Sequence, residues 1–176
     1  MDTPLAMKNM VNNHIAWHIT GILLVVALFI LNRESRRAHI LLYALFRWPG
    51  TALHETSHMV TGLILWAKPS RLSLLPRQDD SSNWRLGSVS FTRITAFNAV
   101  PIGLAPLGLL FVAWLFWRNW FFWFRTTAAS ILCLYVVLFY LCSSVLPSRQ
   151  DLRIALNWRS ILLYGIAAAI IVYIYL

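Results

Sequence analysis

The sequence predicts an all-α polytopic membrane protein of about five transmembrane segments, with one small β-hairpin between two of them. Hydrophobic residues make up 59% of the 176 residues, and the mean hydropathy is +0.65. Charged residues make up only 12%, whereas soluble proteins contain roughly a quarter. A soluble domain of this composition would lack the polar residues that cover a protein surface. The same figures exclude a disordered chain and a disulfide scaffold.

The basic character of the chain comes from residues that flank its apolar runs. The net charge is +9, and Arg33, Arg36 and Arg37 follow the first run while Lys68 follows the second. Lys and Arg at such positions are typical of the ends of membrane helices. We therefore expect the lipid bilayer as a partner and no nucleic acid. The bias of basic residues among alternate loops predicts a cytoplasmic N-terminus and a C-terminus on the opposite side.

The first two apolar runs predict a leading helix and a longer, interrupted one. Ile15–Leu31 is just long enough to span a bilayer. The second run covers residues 38–67, but it contains Pro49, which breaks or kinks a helix. We therefore expect a short entry segment at Ile40–Phe46 and a main helix over Thr51–Trp66.

The polar stretch at residues 69–95 predicts the hairpin. Polar and apolar residues alternate in Arg71–Leu74 and in Arg85–Phe91, and the turn-like residues 78–83 separate these segments. Unpaired strand edges are not stable in lipid, so the hairpin should lie at the interface or against the helices. Four apolar side chains of its strands are candidates for binding an extended substrate by strand addition: Leu72, Leu74, Val89 and Phe91.

Three further apolar runs complete the predicted helices: Ala96–Trp117, Thr127–Leu146 and Ile161–Leu176. The first of them contains several Pro and Gly residues, which could leave an opening for water or substrate. Asn98 stands at the start of this opening and is a further candidate for contact with substrate.

The motif His54-Glu55-Thr56-Ser57-His58 lies inside the second apolar run and matches H-E-x-x-H. Two histidines four residues apart lie on one helix face, so both can reach a single metal ion. Bound zinc lowers the pKa of a water molecule toward about 7, and Glu55 could accept its proton. A hydrogen-bonded histidine pair, with Glu55 paired to an arginine, is the alternative. His14 and His18 share the spacing, but their position is typical of a membrane interface.

A zinc site needs a third protein ligand, and Asp151 is the candidate. Asp79 and Asp80 fall in the polar turn, where we expect them to be solvated. Asp151 instead follows the end of a membrane span. The alternative is a helix-start carboxylate that interacts favourably with the helix dipole.

The segment from Gly50 to His58, followed by a hairpin and two spans, resembles the site-2 protease-like intramembrane zinc metalloproteases of the M50 clan. The resemblance covers residues 38–156. It implies a three-helix catalytic core in which His54 and His58 bind zinc, Glu55 is the general base and a later helix supplies an aspartate. The aspartate motif differs here, because Asp151 is followed by leucine rather than glycine.

The leading hypothesis is an intramembrane zinc metalloendopeptidase with a single Zn²⁺ held by His54, His58 and Asp151. It would hydrolyse peptide bonds of membrane-protein substrates within or near the bilayer. A transmembrane helix satisfies its backbone hydrogen bonds internally, so the substrate would have to unwind locally before attack. A non-catalytic membrane scaffold or partner-binding protein that retains the fold is the alternative, and Glu55 would be dispensable there. A small transporter with a His and Asp proton relay is a third hypothesis.

The predicted organisation has three parts. Residues 1–37 form a transmembrane helix with a basic loop, residues 38–156 the protease-like core, and residues 157–176 a C-terminal transmembrane helix. We expect a multi-pass protein of the bacterial inner membrane.

Overall fold

The computed structural model describes residues 3–38, 40–74, 77–78, 84–85 and 87–175. Within them the chain is mainly helical, with four short strands. The helices are α1 Thr3–Ala38, α2 Ile40–Ile64, α3 Ala96–Gly103, α4 Gly108–Trp123, α5 Ala128–Ser143, α6 Arg149–Ala155 and α7 Trp158–Tyr175. The strands are β1 Pro69–Ser73, β2 Arg77–Gln78, β3 Trp84–Arg85 and β4 Ser88–Phe91.

The chain divides into two compact units. One contains the residues up to Arg47 together with Phe111–Ser143, and the other contains Trp48–Leu110 together with the residues from Ser144 onward. In the first unit α1 packs against α5. The contact is close because Gly21 has no side chain, and a Cβ there would collide with the Tyr135 ring.

Among the described residues, two helices are long and apolar enough to span a bilayer: Ile15–Ser35 within α1, and Trp158–Tyr175. The pair α3 and α4 qualifies together as a third span, although it is bent by 45°. The prediction of about five spans is therefore not confirmed over the described residues. The apolar helix α5 has only 16 residues, and α2, which carries Arg47 and the H-E-x-x-H motif, is not among the candidates.

Helix α2 runs without interruption from Ile40 to Ile64, with Pro49 inside it. The predicted division into an entry segment and a separate main helix is therefore wrong. A proline removes one backbone donor, and this helix of 25 residues retains enough of the other bonds to continue.

The end of α2 lies at Ile64 rather than at Trp66. The Ala67 N–H donates to the Gly62 carbonyl at 2.8 Å, the six-to-one bond of a Schellman ending. Trp66 and Lys68 then adopt left-handed backbone conformations, with φ of 55° and 51°. These two residues turn the chain directly into β1.

The predicted hairpin is present as two short antiparallel ladders. Strand β1 pairs with β4, and Leu72 stands opposite Val89. The pairing of β2 with β3 continues the hairpin toward its turn. The turn residues Asp79 and Asp80 lie outside the described residues. The hairpin contacts α2 where the Phe91 ring covers Gly62, and a Cβ on Gly62 would collide with that ring.

The predicted span at Ala96–Trp117 is broken into α3, a 3-10 turn at Ala105–Leu107 and α4. Pro106 contributes to the break, because it removes the backbone donor that would continue α3 from the Ile102 carbonyl, whereas Pro101 lies inside α3 and does not end it. In the second unit α3 packs against α6 and α7. The Thr95 hydroxyl accepts from the Asn98 N–H at the start of α3, and the Asn98 side chain accepts from the Thr95 N–H in return.

Candidate metal centre

His54 and His58 lie one turn apart on α2, and their imidazoles face each other. The two Nε2 atoms are 3.2 Å apart, and the ring centroids are 4.9 Å apart. His58 is buried and His54 is half-buried. The spacing of four residues therefore brings the two nitrogens together as the sequence predicts.

A backbone carbonyl fixes the orientation of each imidazole. His54 Nδ1 donates to the Ser144 carbonyl at 2.8 Å, and His58 Nδ1 donates to the Ile102 carbonyl at 2.7 Å. A carbonyl can only accept, so both Nδ1 atoms carry the proton. In a neutral imidazole the lone pair is then on Nε2. Both lone pairs face the same point.

The Asp151 carboxylate lies at that point. Its Oδ2 is 3.2 Å from His54 Nε2, and its Oδ1 is 3.3 Å from His58 Nε2. Asp151 is the third helical residue of α6, and its Oδ2 accepts from the Ser148 N–H at 2.6 Å. The Ser148 hydroxyl accepts from the Asp151 N–H at 3.2 Å, which completes a capping box. Asp151 is thus both the helix-start carboxylate and a neighbour of the two imidazoles.

The charge of Asp151 is favoured in this position. Burial alone would raise the pKa of this carboxyl, but hydrogen bonds from His54 and His58, when those imidazoles also carry a proton on Nε2, and from the Ser148 N–H lower it by more. The net effect holds the pKa of Asp151 well below its ordinary range. The carboxylate is therefore the form present at neutral pH.

The three side chains are suitably placed to hold a metal ion. Two lone pairs and one carboxylate converge, an arrangement that is stable only around a positive charge. Ligands at about 2.0–2.1 Å around a tetrahedral ion stand about 3.3 Å from one another. The observed separations of 3.2 and 3.3 Å agree with that value. Two imidazole nitrogens and a carboxylate are a donor set that suits zinc.

The position of Asp151 depends on close packing between α6 and α3. Gly103 is buried at the end of α3. A Cβ on Gly103 would collide with the Asp151 carbonyl and would lie 2.7 Å from Ala155 Cβ. Only glycine allows the backbone of α6 to approach α3 this closely, and this approach brings Asp151 to the imidazoles.

Glu55, next to His54 on α2, lies against the hairpin. A Cβ on Gly87 would lie 2.8 Å from Glu55 Cγ and 2.6 Å from Thr51 Cγ2. Gly87 immediately precedes β4. The hairpin and the predicted general base are therefore in contact.

The candidate substrate contacts of the hairpin are partly exposed. Leu72 is exposed on β1 and Val89, its partner across the ladder, is half-buried on β4. Leu74 follows β1 and is half-buried, whereas the Phe91 ring packs on Gly62. Their role in substrate binding stays a prediction.

Asn98 differs from these residues because the chain itself uses its side chain. Asn98 is only 2% exposed. Its Oδ1 accepts from the Thr95 N–H at 2.7 Å, and its Nδ2 donates to the Arg93 carbonyl at 3.1 Å. The structure thus gives Asn98 a capping role, and its predicted contact with substrate stays a prediction.

The groups that position the metal ligands were not predicted from the sequence. The Ile102 and Ser144 carbonyls are backbone atoms, and residue type gives no direct signal for them. Ser148 did have a signal, since Ser148 and Asp151 have the spacing of a capping box. Gly103 could be noticed only once α3 and α6 were known to pack together.

His18 belongs to a different environment, in the first unit. Its Nδ1 lies 3.1 Å from the Tyr135 hydroxyl, and its ring contacts Trp117 and Phe121 at centroid distances of 6.3 and 6.4 Å. The side chain of His14 lies outside the described residues. Among the side chains that the structure describes, His54, His58 and Asp151 are the one group of three that could hold a metal.

No family model, curated protein or solved structure matches this chain.

Proposed function

We propose that this chain is a zinc-dependent intramembrane endopeptidase. The observation that carries the proposal is the convergence of His54 Nε2, His58 Nε2 and the Asp151 carboxylate beside a glutamate of an H-E-x-x-H motif. The donor set fits zinc. When bound, zinc would polarise the scissile carbonyl and lower the pKa of a water molecule toward about 7.

Glu55 is the general base of the proposed reaction. Its carboxylate accepts a proton from the attacking water and later donates it to the leaving amine. Because His54 and Glu55 are adjacent on α2, the metal ligand and the base come from one rigid element. The contact between Glu55 and Gly87 limits the positions that the carboxylate can take.

The hairpin is the proposed site of substrate binding. Peptide hydrolysis requires an extended substrate backbone, and a strand edge offers it N–H and C=O groups. Gly87 and β4 lie beside Glu55, so a peptide held by this hairpin would be close to the base. Because some of the helices are apolar and long enough to span a bilayer, we expect the substrate to lie in the membrane as well.

Zinc content and proteolysis together test the proposal. Purified wild-type protein should contain about one zinc per chain, and His54→Ala or His58→Ala should lose it. Glu55→Gln should retain zinc and lose cleavage of a co-expressed panel of tagged single-span membrane proteins. Glutamine has nearly the same size as glutamate. Loss of cleavage with zinc retained would therefore show that the Glu55 carboxylate has a chemical role.

The scaffold function would be supported by a different result. A structural zinc does not require a general base, so wild type and Glu55→Gln would then be indistinguishable across the panel. A wild-type protein without zinc would refute the metalloprotease proposal directly.

A further inference from the structure

We propose that Pro106 is a positioning residue for zinc, because it leaves the Ile102 carbonyl available to orient His58. This inference rests on the metal site of the proposed function. It assigns a role to a residue outside the H-E-x-x-H motif and outside the set of metal ligands.

The position of Pro106 relative to Ile102 is the first observation. In an α-helix the carbonyl of residue i accepts from the N–H of residue i+4. For Ile102 that donor would belong to residue 106, but a proline has no N–H. Helix α3 ends at Gly103, and the Ile102 carbonyl accepts from His58 Nδ1 at 2.7 Å.

The consequence for His58 is a fixed tautomer. With Nδ1 protonated by this hydrogen bond, Nε2 is left as the ligand atom and points toward His54 and Asp151. Carbonyl partners of this kind orient metal-binding histidines and raise their affinity for the ion. The Leu104 N–H also faces this carbonyl, so Leu104 and His58 together use its two lone pairs, and the missing N–H of Pro106 prevents a third donor from competing with His58.

A backbone carbonyl next to a helix end also orients His54. Its partner, the Ser144 carbonyl, would meet the Ser148 N–H in a continuing helix. Ser148 instead donates to Asp151 Oδ2 at 2.6 Å, and α5 ends at Ser143. Each imidazole is thus held by a carbonyl near a helix C-terminus, where backbone acceptors lack helical partners.

Pro101 provides a matched comparison within α3. Its missing N–H would have paired with the Phe97 carbonyl. That carbonyl accepts from the Tyr164 hydroxyl at 2.6 Å. Pro101 and Pro106 each remove one helical donor, but Pro101 lies inside α3, and only Pro106 would have faced the carbonyl that holds His58.

The experiment compares Pro106→Ala and Pro101→Ala in the full-length chain in detergent. Zinc affinity is measured by competition with a chromophoric chelator, and the visible spectrum is recorded after substitution with Co²⁺. We expect Pro106→Ala to weaken zinc binding by about tenfold or more and to change the cobalt spectrum. Pro101→Ala should leave both the affinity and the spectrum unchanged.

Nuclear magnetic resonance of ¹⁵N-histidine in the wild-type protein provides a test that does not depend on the folding of a variant. The proposal requires His58 to carry its proton on Nδ1, with zinc bound to Nε2. A zinc bond to Nδ1 would overturn it, as would equal zinc affinity in wild type and Pro106→Ala. Such results would leave the proposed function standing, whereas a wild-type protein without zinc would refute that function.

Discussion

Asp151 has two roles in the structure through one carboxylate. Its Oδ2 accepts the Ser148 N–H at the start of α6, and both oxygens face the imidazoles. An amide could replace the first interaction, because it still has an accepting oxygen. It could not supply the negative charge that a zinc site with two neutral histidines would use.

Substitution of Asp151 should separate the two roles. We expect Asp151→Asn to lose most of the zinc while keeping the thermal stability of the zinc-free protein. Asp151→Ala should lose zinc as well, and the lost cap should lower the free energy of unfolding by about 1 kcal/mol. Zinc analysis and thermal unfolding in detergent measure the two effects. Full zinc content in Asp151→Ala would show that Asp151 is not a ligand.

Ser148→Ala is the control for the cap. This variant removes the hydroxyl that accepts from the Asp151 N–H but keeps the backbone N–H that donates to Oδ2. We expect a loss of about 1 kcal/mol in the free energy of unfolding, with zinc content retained. A large loss of zinc here would indicate that the hydroxyl also positions the carboxylate.

At the residue scale, the sequence predicted the ligands better than their supports. The spacing of His54 and His58 determines their common helix face. Asp151 was found by eliminating the other carboxylates, and the structure brings it to the two imidazoles. The Ile102 and Ser144 carbonyls could not be predicted, because every residue carries a carbonyl and only tertiary packing selects these two.

At the scale of elements, the contact of α3 with α6 determines whether the third ligand reaches the site. Gly103→Ala would place a Cβ against the Asp151 carbonyl and 2.9 Å from the Ala155 nitrogen. Backbone atoms cannot rotate away, so α6 would have to move. We expect weaker zinc binding and a lower unfolding temperature for this variant.

Gly108→Ala is the matched control for that substitution. A Cβ on Gly108 meets no heavy atom within 4 Å apart from its chain neighbours and its own helix backbone, and its φ of −61° is helical. Zinc affinity and unfolding temperature should therefore stay at wild-type values. If both alanine variants behave alike, the packing of Gly103 does not position Asp151.

The hairpin contact with α2 predicts an effect on catalysis alone. Gly87→Ala would press on Glu55 and Thr51, while the metal ligands stay in place. We expect zinc content to be retained and cleavage to fall by about a hundredfold, since small misplacements of a catalytic group are costly. The co-expressed substrate panel measures the cleavage. Unchanged cleavage would show that the hairpin does not position the base.

The sequence predicted elements well where a local pattern decides them. Alternating residues predicted β1 and β4, which do pair. Pro49 was misjudged, because one missing hydrogen bond does not end a helix of 25 residues. The break between α3 and α4 was not predicted, although its prolines were visible in the sequence.

At the scale of the whole molecule, the number of spans determines the sides of the two termini. The described helices give two candidate spans, or three if α3 and α4 cross as one bent span. The composition predicted a membrane protein and could not set this number, because helix length and breaks depend on local structure. An odd number places the termini on opposite sides, and an even number places them on one side.

Reporter fusions in bacterial cells decide between these cases. The distribution of basic residues predicts a cytoplasmic N-terminus and an external C-terminus, which requires an odd number of spans. A green fluorescent protein at the N-terminus should fluoresce, and alkaline phosphatase at the C-terminus should be active. As the control, the two reporters are exchanged. The fluorescent protein should then not fluoresce, and the phosphatase should be inactive. Termini on one side would contradict the prediction and would require an even number of spans.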